Sequence, residues 1–178
     1  MTPLALPLQV LLGCITLAAG FTDLRSRTIP NSLVIVGLVF GFGLNTYLLH
    51  WNGFVRSVAG FALAAAVYVP LFALRAMGGG DVKLMAAVGA IAGAANWFVI
   101  FLFTSVIGGL FAIILLLFTG TLRKTIRNVG HILNEIMHLR VPHRSRRELD
   151  VSSPSAVTMP HGVAIAAGVI LYLLLSRF

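Results

Sequence analysis

Residues 97–118 read WFVIFLFTSVIGGLFAIILLLF, twenty-two positions without a charged side chain. A helix crosses the ~30 Å hydrocarbon core of a bilayer with ~20 residues, so this stretch is long enough to span alone. Other apolar runs flank it. Residues 4–21, 32–49, 54–74 and 82–95 precede it, and 159–175 follow. The run 82–95 is the short one, reaching only ~21 Å at 1.5 Å per residue. Gly80 and Asp81, just ahead of it, therefore belong at or inside the membrane boundary. The expectation is an all-α fold: a polytopic membrane helical bundle of about six transmembrane helices. It forms a single domain over residues 1–178, with no evident internal repeat.

Composition points the same way. Of 178 residues, 58% are hydrophobic and 10% charged, and the mean hydropathy is +0.98. Soluble domains run nearer ~45–50% apolar and ~25% charged. Too few polar residues are present to clothe a water-soluble body of this size, which excludes an ordinary cytosolic enzyme and a disordered tail. The single cysteine, Cys14, excludes a disulfide framework and a Cys-based zinc site. Leu11-Leu12-Gly13-Cys14 superficially resembles a lipoprotein cleavage site. No Lys or Arg precedes the first run, however, and a signal peptide wants a basic start. The reading is an unprocessed first helix with Cys14 as an inert packing residue.

The chain carries 13 Lys and Arg against 5 Asp and Glu, a formal charge of +8. In a membrane protein this reports orientation and anionic lipid as a partner, with no nucleic acid implied. With the loop after the first run placed inside, every Lys and Arg except Arg56 and Arg177 falls on the inner side. Both termini are then outside. The basic loop at about 121–157 faces the cytoplasm, its first half patterned as an amphipathic helix on the inner leaflet. His131, His138 and His143 in this loop match no common ligand spacing, so no metal is expected. Gly37 with Gly41, and Gly89 with Gly93, have the small-xxx-small spacing that permits close helix packing.

Glu135, Glu148 and Asp150 lie in the basic loop and read as solvated partners of nearby Arg. Asp23 and Asp81 differ, because each sits at the end of an apolar run, where a carboxylate is a functional candidate. The chain leaves the bilayer inward at Asp23, goes out and back, and starts outward again at Asp81. Topology thus brings both to one membrane face. Two close carboxyls cannot both ionise cheaply and can share a proton. One then acts as general base on a water while the protonated one polarises a scissile carbonyl, with neither metal nor covalent intermediate. Gly78, Gly79 and Gly80 suit this, allowing close backbone approach and a turn with φ > 0. Other readings stay open. Asp23 could flank the interface beside Arg25 and Arg27. Asp81 could be the first-turn acid of a helix, favoured by its dipole.

The residues around the carboxylates carry a resemblance. Phe21-Thr22-Asp23-Leu24-Arg25-Ser26-Arg27-Thr28-Ile29-Pro30-Asn31 resembles the first signature of type IV prepilin peptidases. Gly78-Gly79-Gly80-Asp81-Val82-Lys83-Leu84 resembles their second, the GxGD motif followed by a lysine. Met159-Pro160-His161-Gly162-Val163-Ala164 resembles the Pro-x-Gly segment opening their last helix. The resemblance implies a membrane aspartic endopeptidase that removes the short basic leader from prepilins or pseudopilins at the cytoplasmic face of the inner membrane. It implies Asp23 and Asp81 as the catalytic pair and Gly78 and Gly80 as the motif glycines. Lys83, Pro30 and Asn31 are matched accessory positions. By spacing alone Lys83, two residues after Asp81, faces another way and can snorkel toward lipid headgroups. Long members of that family carry paired CxxC motifs and also methylate the new N-terminus. This chain resembles the short, peptidase-only form associated with Flp-type tight-adherence pili, for which neither methyltransferase activity nor a cofactor is expected. Two other classes stay open. One is a proton-coupled transporter with the two Asp as a relay; the other is a non-catalytic pilus or secretion assembly factor.

Overall fold

A computed structural model describes residues 3–75, 77–120 and 160–176. The basic loop, with its three histidines, Glu135, Glu148 and Asp150, lies outside the described residues, as does Met159. The described residues form five helices: α1 (Leu6–Ser26), α2 (Asn31–Ala73), α3 (Gly79–Ala92), α4 (Ala94–Thr119) and α5 (His161–Leu175). The fold is all-α. Three helices, α1, α2 and α4, are long and apolar enough to cross a membrane, while α5 is a shorter apolar helix. The expected count of about six spans is thus met only in part.

The centre of the bundle is α3. Every residue from Leu84 to Ala92 is buried, on all sides of the helix. Helices apolar all round belong inside a bundle, and the alternation of Ala86, Ala87, Gly89 and Ala90 with larger side chains lets neighbours come close. Around it, the other helices bury one stripe each. On α4 that stripe is Trp97, Ile100, Thr104 and Gly108, while Phe98, Leu102, Val106 and Leu110 are exposed. On α1 it is Leu8, Leu12, Ile15, Thr16, Ala19, Gly20 and Asp23. Steps of three and four keep residues on one helix face, so Asp23 continues an inward-facing apolar stripe. Cys14 is exposed on α1, a correction to its expected packing role: it lies off the buried stripe.

Helix α2 is two helices joined at His50, whose φ of 52° and ψ of −135° break the helical run. Gly41 and Gly60 both lie against α3 around Gly89–Ile91. Nineteen residues of straight helix would hold them ~28 Å apart, so the chain reverses at His50. Both expected small-residue patterns are used here. A Cβ on Gly37 would meet Ala87 at 3.3 Å and one on Gly41 would meet Ile91 at 2.7 Å. Gly60 and Gly89 lie backbone to backbone. Beside the reversal, Asn45 Nδ2 donates to the carbonyls of Gly41, Ala90 and Ile91 at 3.1, 3.1 and 3.0 Å. Arg56 donates to the Ala92 carbonyl at 3.1 Å, and Trp97 Nε1 to the Met85 carbonyl at 3.0 Å. These side chains hold α3 from its middle, at Met85, to its C-terminal end at Ala92. The ends of α1, α2 and α5 fix its start.

Candidate active site

The run 4–21 was expected to end before Asp23, but α1 continues to Ser26. Asp23 is therefore a helical residue, 6% exposed. Arg27 takes a left-handed φ of 54°, and its N–H caps the Asp23 carbonyl at 2.9 Å. Three residues later Pro30, extended at φ −62° and ψ 134°, opens α2. The short linker 27–30 thus crosses directly over the start of α3. Ile29 lies where a Cβ on Gly80 would meet it at 3.3 Å.

Asp81 sits in the first turn of α3. The reading of Asp81 as a first-turn acid, favoured by the helix dipole, therefore holds alongside any other role. The glycines before it act differently from expectation. Gly78 has φ −72° and ψ 144°, and among the described glycines only Gly93 and Gly120 have positive φ. Gly79 and Gly80 are already helical. Close approach is what requires them. A Cβ would come within 3.3 Å of Asp81 Oδ2 at Gly78, and of Phe72 at Gly79.

Asp23 and Asp81 line one cavity of about 280 Å³, together with Arg27, Asn31, Gly78 and Lys83. Sequence separation of fifty-eight residues collapses because α1 ends and α3 begins at the same end of the bundle. Lys83 is exposed, but it turns along the rim and donates from Nζ to Asn31 Oδ1 at 3.0 Å. This bond gives Lys83 a partner across the cavity mouth that helical spacing alone does not indicate. A long, flexible side chain reaches back where helical spacing alone points it away. Asn31, the first residue of α2, stands on the facing rim, and Pro30 before it caps the helix start without lining the cavity.

The Pro-x-Gly segment supplies a further partner of the site, one that its sequence pattern does not assign a role. The backbone N–H of Gly162, at the start of α5, donates to Asp23 Oδ2 at 2.8 Å. The signal for it was the Pro-x-Gly spacing, which opens a helix and leaves an N–H without a helical acceptor. Among the described residues no group of three His, Cys, Asp or Glu gathers as a metal site.

Chemically, the arrangement offers two carboxyls on one small polar cavity, one buried and hydrogen-bonded, one half-buried, with cations at the rim. A family model described as the type IV leader peptidase family matches residues 10–113, more than half of the chain and inclusive of both Asp. No curated protein and no solved structure matches the chain.

Proposed function

The chain belongs to the type IV leader peptidase family, and from that premise we propose that it is a membrane aspartic endopeptidase in which Asp23 and Asp81 activate water. Its substrates are prepilins or pseudopilins of the Flp type, and the bond cut is the one after the basic leader, at the cytoplasmic face of the inner membrane. The observation that carries the reading is the shared cavity. Two carboxyls distant in sequence line about 280 Å³ at one end of the bundle. Two carboxyls on one small cavity can share a proton, giving one base for the water and one acid for the carbonyl. The motif glycines Gly78 and Gly80 support this by keeping side chains out of the gap between the α1–α2 linker and α3. Lys83 and Asn31 support it by tying the two rims together.

About six spans are counted when the two limbs of α2 and the shorter helices α3 and α5 each cross. Both termini are then outside, and the basic loop lies on anionic lipid. The test is cleavage of a prepilin by the purified chain in detergent or anionic lipid. A product shortened by the leader supports the reading. A chain that is folded and inserted yet leaves the prepilin intact overturns it, and favours a proton relay or an assembly factor.

A further inference from the structure

The two carboxyls are held in different ways. Asp81 is half-buried at the cavity wall, with its Oδ2 beside Gly78. Asp23 is buried, and its Oδ2 accepts the N–H of Gly162 at 2.8 Å. That N–H belongs to the first turn of α5, where amides lack a helical acceptor and the helix dipole favours negative charge. Pro160, extended at φ −68° and ψ 90°, starts this turn, and Val163 closes it by donating to the Pro160 carbonyl at 3.2 Å. The amide therefore cannot swing away from Asp23 without unwinding the helix start.

Two glycines set the spacing. A Cβ on Gly162 would lie 3.0 Å from both Cβ and Oδ2 of Asp23. On the opposite helix, about one turn earlier, a Cβ on Gly20 would lie 3.2 Å from Ala166. α1 and α5 are zipped together at small residues, and Asp23 is the polar end of that zip. The family match stops at residue 113, so this arm of the site lies outside it.

We infer that the Gly162 amide is a positioning group that makes the pair asymmetric, with Asp23 the base toward water and Asp81 the acid toward the scissile carbonyl. The inference rests on the peptidase reading above. The bond fixes the orientation of the carboxylate through Oδ2, and Oδ1 receives the water's proton. The water oxygen then bonds to the carbonyl carbon while Asp81 gives its proton to the carbonyl oxygen. In the second half, Asp23 passes its proton to the amide nitrogen, the C–N bond breaks, and Asp81 recovers a proton from the diol hydroxyl. Water is consumed and both carboxyls return to their starting state.

The decisive variant replaces the His161–Gly162 peptide bond with an ester by semisynthesis, which removes the donor and adds no atom to the packing. Gly162→Ala and Gly20→Ala accompany it; the second presses on Ala166 and on the Gly162 carbonyl, disturbing the same α1–α5 interface while keeping the Gly162 N–H donor. Each is assayed for kcat and KM on a prepilin, beside wild type and Asp23→Asn. The ester is expected to lower kcat about 10²-fold, as loss of a single preorganised donor does. KM should stay within about twofold, since positioning acts on the transition state. Gly162→Ala should lose at least as much, because a ~1 Å displacement of a reacting group can cost ~10²-fold. Gly20→Ala should keep more of its kcat than the ester. An ester variant with kcat within about threefold of wild type overturns the inference while leaving the peptidase reading intact. So does an ester indistinguishable from Gly20→Ala in both parameters. Wild type that cleaves no better than Asp23→Asn overturns the peptidase reading and this inference with it.

Discussion

At the scale of single residues, Asp23 and Asp81 are set apart by where their helices put them. Asp23 ends the buried stripe of α1, two turns beyond Ile15 and Thr16, while its neighbours Phe21 and Leu24 are exposed. Asp23→Asn and Asp81→Asn each keep size and burial but remove the proton chemistry. Each is expected to reduce prepilin cleavage by about 10³-fold or more, with the helical content and detergent elution of wild type. A variant of either position that cleaves like wild type removes that residue from the reaction. Lys83 gives a milder expectation. Lys83→Met breaks the bond to Asn31 at an exposed rim. It should lower activity by only about tenfold or less, since exposed polar contacts contribute little. A loss as large as that of the Asp variants would instead give Lys83 a part in the chemistry. The candidate carboxylates were legible in the sequence because a charge at the end of an apolar run stands out. The direction Lys83 takes was not, since a flexible side chain is aimed by its partner and Asn31 is fifty-two residues away.

At the scale of elements, α3 depends on its neighbours more than on its own sequence. Fourteen residues make a short helix, and its stability comes from what surrounds it. Asn45 reaches the carbonyls of Ala90 and Ile91 from the first limb of α2. Asn45→Ala leaves those buried acceptors without their donor and is expected to cost about 1–3 kcal/mol. A lowered thermal midpoint in detergent is the measurement, and an unchanged midpoint would show that another group takes over. Gly60 is the complementary case. It meets the α3 backbone at Gly89 directly, so Gly60→Val inserts atoms where none fit. The expected cost is about 1–3 kcal/mol or more from overpacking, read in the same melt. Gly43, where an added Cβ meets nothing within 4 Å, is the control: Gly43→Ala should melt like wild type. The pairs Gly37 with Gly41 and Gly89 with Gly93 were legible as possible packing faces. Gly60 with Ala64 has the same spacing, but only the hairpin at His50 brings that face to α3.

At the scale of the whole molecule, the ends of α1 and α2's return limb and the starts of α3 and α5 gather at one end of the bundle. His50, Arg56, Gly93 and Asn96 gather at the other. This polarity predicts sidedness. In a Cys14→Ala background, cysteine at Ser26 should react with an impermeant thiol reagent only when the cytoplasmic side is open. Cysteine at Asn52, beside the reversal, should react from outside. Reversed labelling would place the Asp pair on the face away from a cytoplasmic leader and remove prepilins as substrates.

The sequence by itself determined that this chain is helical, apolar enough for lipid, and carries two carboxylates where apolar runs end. Each of these follows from local composition and from the fixed rise of a helix, which need no knowledge of neighbours. The tertiary structure decided what distance in space decides. It put both carboxyls on one cavity and made the glycines before Asp81 close-packing residues in a regular helix start, without a left-handed turn. It turned Cys14 outward and brought the amide of Gly162 to Asp23 from 139 residues away. Contacts of that range depend on the order in which helices pack. Periodicity along one helix tells which face turns inward, and only the packed bundle determines what that face meets.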